Sequence, residues 1–129
     1  MIGLSERLYW REVGKWKVDL RSLLFGAYGR KVGTWIYLIW APSTDAFNTV
    51  LYVGKTTQPV QVRLRQHISQ SSAIGLRIKD LVPHDDEGWF VEVIAIDIRH
   101  PHGLSCAEKH YIQLYSPLYN QQLTTRIAL

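Results

Sequence analysis

Residues 33–67, GTWIYLIWAPSTDAFNTVLYVGKTTQPVQVRLRQH, decide the fold. The stretch opens with Trp35-Ile36-Tyr37-Leu38-Ile39-Trp40-Ala41, aromatic and β-branched side chains that suit a half-buried sheet. Pro42, Ser43, Asp45 and Asn48 follow with turn chemistry, and Val50-Leu51-Tyr52-Val53 forms a second apolar run ending at Gly54. Two such runs joined by a polar connection predict a β-hairpin. Pro59 then opens a segment with Val60, Leu64 and Ile68 at four-residue spacing, which predicts one apolar face of a helix.

This strand–turn–strand–helix unit carries polar residues that a plain core does not need. Tyr37 and Tyr52 lie inside the two strands, and Lys55 follows Gly54 directly. Arg63 and His67 are four apart, so they share a helix face beside the apolar stripe. Five polar side chains at the edge of a small sheet–helix core suggest that something anionic docks there.

The pair Trp35-Ile36-Tyr37 and Tyr52-Val53-Gly54, followed by Lys55-Thr56 and Arg63-Leu64-Arg65-Gln66-His67, resembles the signature of the GIY-YIG nuclease superfamily. Trp35 stands where the family has glycine, and Val53 replaces an isoleucine. Ala107-Glu108 with Ile112, then Pro117-Leu118-Tyr119-Asn120, is similar to the family's later acidic and asparagine motifs, in the expected order. The resemblance implies an α+β chain of the GIY-YIG fold, a small, mainly antiparallel three-stranded sheet flanked by helices. It divides the single domain into a basic N-terminal extension (1–32), a nuclease core (33–122) and a C-terminal tail (123–129).

Working outward from the hairpin, 129 residues suffice for one domain with its own core. A hydrophobic content of 47% against 20% charged excludes a disordered chain. The lone Cys106 excludes an internal disulfide framework and a cysteine zinc site. The opening MIGLSERLYWREVGKWK has no secretory apolar segment, and no run is long enough to span a bilayer. The expectation is a soluble, cytoplasmic protein of undetermined oligomeric state.

Charge is unevenly distributed. Residues 1–31 hold Arg7, Arg11, Lys15, Lys17, Arg21, Arg30 and Lys31 against Glu6, Glu12 and Asp19, which accounts for the whole formal +4. Residues 32–129 are balanced. That asymmetry suggests an anionic partner, with Tyr9, Trp10 and Trp16 able either to stack on bases or to cover one side of the core. The candidate nucleic-acid contacts are Arg7, Arg11, Lys15, Lys17, Arg30, Lys31 and Arg65. Ser5 as N-cap, with helix from Arg7 onward, is the local expectation, followed by a linker over Gly26–Gly33.

Beyond the hairpin unit, Ile74, Ile78, Leu81 and Val82 predict a short helix closed by Pro83. His84-Asp85-Asp86-Glu87 is a solvated acidic turn rather than a metal site. Trp89–Ile98 alternates as a third strand with Glu92 toward solvent, and His100 and His102 belong to a turn. The last helix is expected near Ser105. Ser105-Cys106-Ala107-Glu108 fits a capping box, yet Glu108 also lies on the apolar stripe of Leu104, Ala107, Tyr111, Ile112 and Tyr115.

The resemblance implies metal-dependent DNA endonuclease activity, phosphodiester hydrolysis with Mg2+ or Mn2+ held by Glu108. By the same resemblance Arg63 clamps the phosphate, Tyr37 serves as general base, Tyr52 orients phosphate or water, Lys55 assists and Asn120 braces the site. Free tyrosine titrates near 10, about three units high, a mismatch of roughly 4 kcal/mol at neutral pH. His67 is the chemically more ordinary base, and both stay open. Two alternatives are a module of the same fold that binds nucleic acid without cutting, and a subunit dependent on a partner protein.

Overall fold

The expected hairpin forms and makes up one side of the sheet. In the structure, a computed structural model describing residues 9–26, 31–42, 48–81 and 88–120, β2 (Trp35–Pro42) and β3 (Asn48–Thr56) pair antiparallel, from Trp35 opposite Thr56 to Pro42 opposite Asn48. Of the span 38–51, residues 38–42 and 48–51 are therefore strand. An irregularity between Ile39 and Trp40 re-phases the two strands, so Tyr37 faces Gly54 and Ile39 faces Tyr52.

β4 (Phe90–Ile98) pairs antiparallel with the other side of β2. A further strand, β1 (Trp10–Asp19), pairs with β4, giving a four-stranded sheet of order β1-β4-β2-β3. This corrects two expectations: the sheet has four strands, not three, and residues 10–19 are strand rather than helix. The apolar residues Trp10, Val13 and Trp16 are spaced in threes, which mimics a helix. The cause is a bulge between Glu12 and Gly14, where the strand's inside–outside alternation changes phase. Trp10 packs on one sheet face, whereas Trp16 lies opposite Val93 on the other.

Helices cover both faces. α1 (Leu20–Phe25), α2 (Val60–Ser69) and α3 (Ala73–Leu81) bury Leu20, Leu23, Leu64, Ile74 and Ile78 against Trp35, Tyr37, Ile39, Val91 and Val93. α4 (Gly103–Tyr115) packs Ala107 and Tyr111 on the opposite face, over Ile36, Leu38, Val53 and Ile94. Pro59 is the N-cap of α2, and its carbonyl accepts the first bond of the helix from Arg63 N–H at 3.1 Å. α2 and α3 approach closely because Gly75 has no side chain: a Cβ there would lie 1.9 Å from the His67 carbonyl oxygen.

Two local expectations change. Glu92 is buried, 6% exposed, on the α4 face and opposite Lys17 of β1; the fourth strand covers it. α4 starts at Gly103, so Ser105 lies inside the helix and the Ser105–Glu108 capping box does not form. Residues 84–87, Arg7, residues 27–30 of the 26–33 linker (Arg30 among them) and the tail beyond 120 lie outside the described residues. Among the described residues, no helix is long and apolar enough to cross a membrane.

Candidate active site at the β3 edge

β3 is an outer strand of the sheet, and the candidate side chains collect around it from both faces. Tyr37 and Tyr52 share the α2 face, with ring centroids 6.1 Å apart. Lys55 is opposite Ile36 and belongs to the α4 face. The two groups communicate across Gly54. A Cβ at Gly54 would sit 2.2 Å from Tyr37 Cζ and 2.3 Å from its hydroxyl oxygen, so the phenol lies directly over a strand position that has no side chain. Glycine here is a spatial requirement.

Tyr37 is fully buried, and an unpartnered hydroxyl there would cost about 1–3 kcal/mol. His67 supplies the partner: Tyr37 Oη and His67 Nε2 are 2.9 Å apart. The other ring nitrogen, Nδ1, lies 2.8 Å from Ser72 Oγ, which accepts from Gly75 N–H at 3.1 Å. Ser72 Oγ is also 3.4 Å from the His67 carbonyl, the acceptor for its own proton. That network assigns the proton to Nδ1 and leaves Nε2 to accept from Tyr37.

Burial, then the nearby Arg63 guanidinium, pushes the His67 imidazole down to about 4, so it is neutral at ordinary pH. Burial chiefly raises the Tyr37 phenol well above its usual range, Tyr52 adds to this, and Arg63 opposes it. Burial also raises Tyr52, followed by the Glu108 charge, with Arg63 again opposing. Both phenols are therefore protonated at neutral pH. The Glu108 carboxylate bears electrostatically on both tyrosines from the other side of the sheet.

Lys55 and Arg63 line one cavity of about 410 Å³ with Thr56, Gln58, Gln66 and Leu104. Arg63 sits one turn before His67, and its Nη1 donates to Gln66 Oε1 at 3.4 Å. Lys55 Nζ donates to Ser105 Oγ at 2.8 Å and lies 3.8 Å from Glu108 Oε1. Two cations lining one cavity suit an anionic group such as phosphate, and the half-buried Glu108 carboxylate stands beside one of them, Lys55.

Glu108 stands without a cluster: the described residues contain no group of three or more His, Cys, Asp or Glu able to hold a metal. Its donor set still fits a hard, strongly hydrated divalent ion, which takes one protein carboxylate and completes its shell with water and phosphate oxygens. Burial raises the Glu108 carboxyl and Lys55 opposes this, so added positive charge would favour the ionised form.

Asn120 completes the edge. Its Oδ1 accepts from Val53 N–H at 2.8 Å and its Nδ2 donates to Val53 C=O at 3.0 Å. The remaining expected contacts scatter. Arg65 donates from Nε and Nη2 to the Leu24 carbonyl, at 2.9 and 2.5 Å, and joins α2 to α1. Lys17 Nζ lies over the Phe90 ring at 5.2 Å, and Arg11 Nη2 is 3.5 Å from Asp97 Oδ2. Lys15 and Lys31 are exposed. Sequence reasoning missed Ser72, whose position after α2 carried the ordinary signal of a helix N-cap.

The family model of the GIY-YIG catalytic domain matches residues 33–121. Neither the curated proteins nor the solved structures compared with the chain give a match.

Proposed function

The chain belongs to the GIY-YIG catalytic-domain family, and from that premise we propose that it is a metal-dependent DNA endonuclease that hydrolyses phosphodiester bonds at the β3 edge. The observation that carries this reading is the meeting of Tyr37, Tyr52, His67, Arg63, Lys55 and Glu108 around the side-chain gap at Gly54.

The scissile phosphate enters the cavity between Arg63 and Lys55. The Arg63 guanidinium binds two non-bridging oxygens in one plane and keeps its charge throughout. Lys55 adds a point charge, and Ser105 fixes its ammonium. A divalent ion at Glu108, Mg2+ or Mn2+, would supply Lewis-acid stabilisation of the phosphate and of the departing 3′ oxygen.

The hydrogen-bond geometry supports a relay in place of a choice between the two bases. Tyr37 is too basic as a phenolate to be ionised at rest, and His67 is neutral with Nε2 aimed at the phenol. A water proton passes to Tyr37 Oη as the Tyr37 proton passes to His67 Nε2. The resulting hydroxide forms the new P–O bond while the P–O3′ bond breaks. Negative charge accumulating on the phosphate offsets the cost of an imidazolium beside Arg63. Tyr52 packs edge-on to the His67 ring, centroids 5.3 Å apart, and keeps water from the relay on that side.

Single-stranded, duplex and branched DNA incubated with and without Mg2+ or Mn2+ tests the reading. The parent is expected to cut at least one substrate only when metal is present, and Arg63→Ala and Glu108→Ala are each expected to lose activity by 100-fold or more, about 3 kcal/mol of transition-state stabilisation. Cleavage that survives both substitutions overturns the mechanism. Metal-independent binding with no cleavage of any substrate favours the non-cutting module.

A further inference from the structure

The three helices of the α2 face leave part of the sheet bare at its β1 end. There Trp16, Val18, Lys31, Trp35, Val60 and Val93 line a groove of about 450 Å³. Trp16 is 53% exposed and stands edge-on to the buried Trp35, centroids 6.2 Å apart. On the same face, Arg11 and Arg99 share one carboxylate, Asp97, at 3.5 and 3.4 Å, which leaves net positive charge at the groove's end. Exposed Lys31 adds to it. β1 lies wholly outside the segment that matches the family, within residues 1–31, which carry the entire formal +4.

We propose that this groove binds a single-stranded stretch of nucleic acid, one base stacked on Trp16 and the backbone held by Lys31 and the Arg11–Asp97–Arg99 cluster. The inference rests on the nucleic-acid substrate proposed above and adds a second contact surface to it. Aromatic faces accept any base, and a cationic rim tracks the backbone without reading sequence. The groove is adjacent to the candidate active site. Trp35 in the groove and Tyr37 in the site are two residues apart on one face of β2, about 7 Å along the strand. Val60 in the groove and Arg63 in the site belong to the same first turn of α2. A strand leaving the cavity past that turn meets Trp16.

A second copy of the chain fits less well. Edge-to-edge pairing through β1 would have to accommodate the bulge between Glu12 and Gly14 and place Lys15 and Lys17 against their counterparts, both standard obstacles to strand addition.

Fluorescence anisotropy of a short labelled oligonucleotide, with EDTA present to suppress cleavage, tests the groove on the full chain. Trp16→Ala is expected to weaken single-strand binding roughly 5- to 100-fold, while Trp16→Phe, which keeps an aromatic face, stays within about threefold of the parent. Lys31→Glu, an independent surface change, is expected to weaken binding and flatten its salt dependence. Parental affinity in Trp16→Ala overturns the proposal. So does equal loss in Trp16→Phe, or sedimentation showing that Trp16 mediates a dimer. Cleavage by Trp16→Ala with Mg2+, on whichever DNA the parent cuts, separates the two readings. Normal cleavage with normal single-strand binding removes only the groove; a parent that cuts none of the single-stranded, duplex and branched substrates removes the nuclease and leaves the anisotropy result standing.

Discussion

The two outer strands of this sheet solve the same problem in opposite ways. Each exposes one side of its backbone to solvent, which invites unwanted pairing. β3 deals with it by drawing side chains inward from both faces: Asn120 takes both backbone groups of Val53, the Tyr37 phenol covers Gly54, and Lys55 turns to Ser105 and Glu108. β1 deals with it by staying awkward and charged, with a mid-strand bulge, two lysines and a half-exposed tryptophan. An edge closed by specific polar contacts is one where groups can be held for chemistry. An edge kept open by charge and an aromatic face is suited to loose, sequence-tolerant contact.

Breaking the first edge should have the largest effect. Gly54→Ala places a methyl group inside the Tyr37 ring position and forces the phenol off His67. We expect a loss of about 1–3 kcal/mol in urea unfolding and at least a 100-fold fall in cleavage rate, since misplacing a catalytic group by an ångström has that order of effect. An alanine variant with parental rate would show that the phenol's position over the edge is incidental.

pH sharpens the same comparison. The His67 imidazole titrates near 4 in the folded chain and near 6.5 unfolded. Between those values the unfolded chain takes up a proton that the folded chain refuses, so stability falls as pH drops from about 6.5 to about 4 and this contribution is flat outside that window. Glu108, whose carboxyl is raised by burial, works in the opposite sense as pH falls. Comparing Tm against pH for the parent and His67→Gln isolates the imidazole: the variant should lack this part of the acid-side slope. Parallel curves would mean that His67 titrates alike in both states.

The smallest effect is expected at the other edge. Tyr111 Oη donates to Glu12 Oε1 at 2.7 Å and ties α4 to β1; burial first, then that carboxylate, raise the phenol. Tyr111→Phe should cost about 1–2 kcal/mol and quicken amide exchange along 10–19, with cleavage unchanged. A fall in cleavage rate would show that the two edges are coupled.

The hairpin and α2 were legible in the sequence because their alternation and four-residue spacing follow directly from which faces are buried. Arg63 and His67 were placed on one face for the same reason. β1 was not legible, since a single bulged residue converts a two-residue alternation into threefold spacing. The burial of Glu92 depends on that strand and on α4, two partners far away in the chain. The crossing at Gly54 was equally hidden: that Lys55 and Glu108 lie on the opposite face from the tyrosines follows from register, not from any local pattern.

The bidentate grip of Asn120 on Val53 has a consequence for ligand design. One carboxamide impersonates a residue of a fifth strand, so an extended peptide has no vacancy to fill at that point on β3. Any peptidomimetic inhibitor aimed there must first evict a residue of the protein itself, whereas a planar, anionic compound could approach from the cavity side with both backbone groups still occupied.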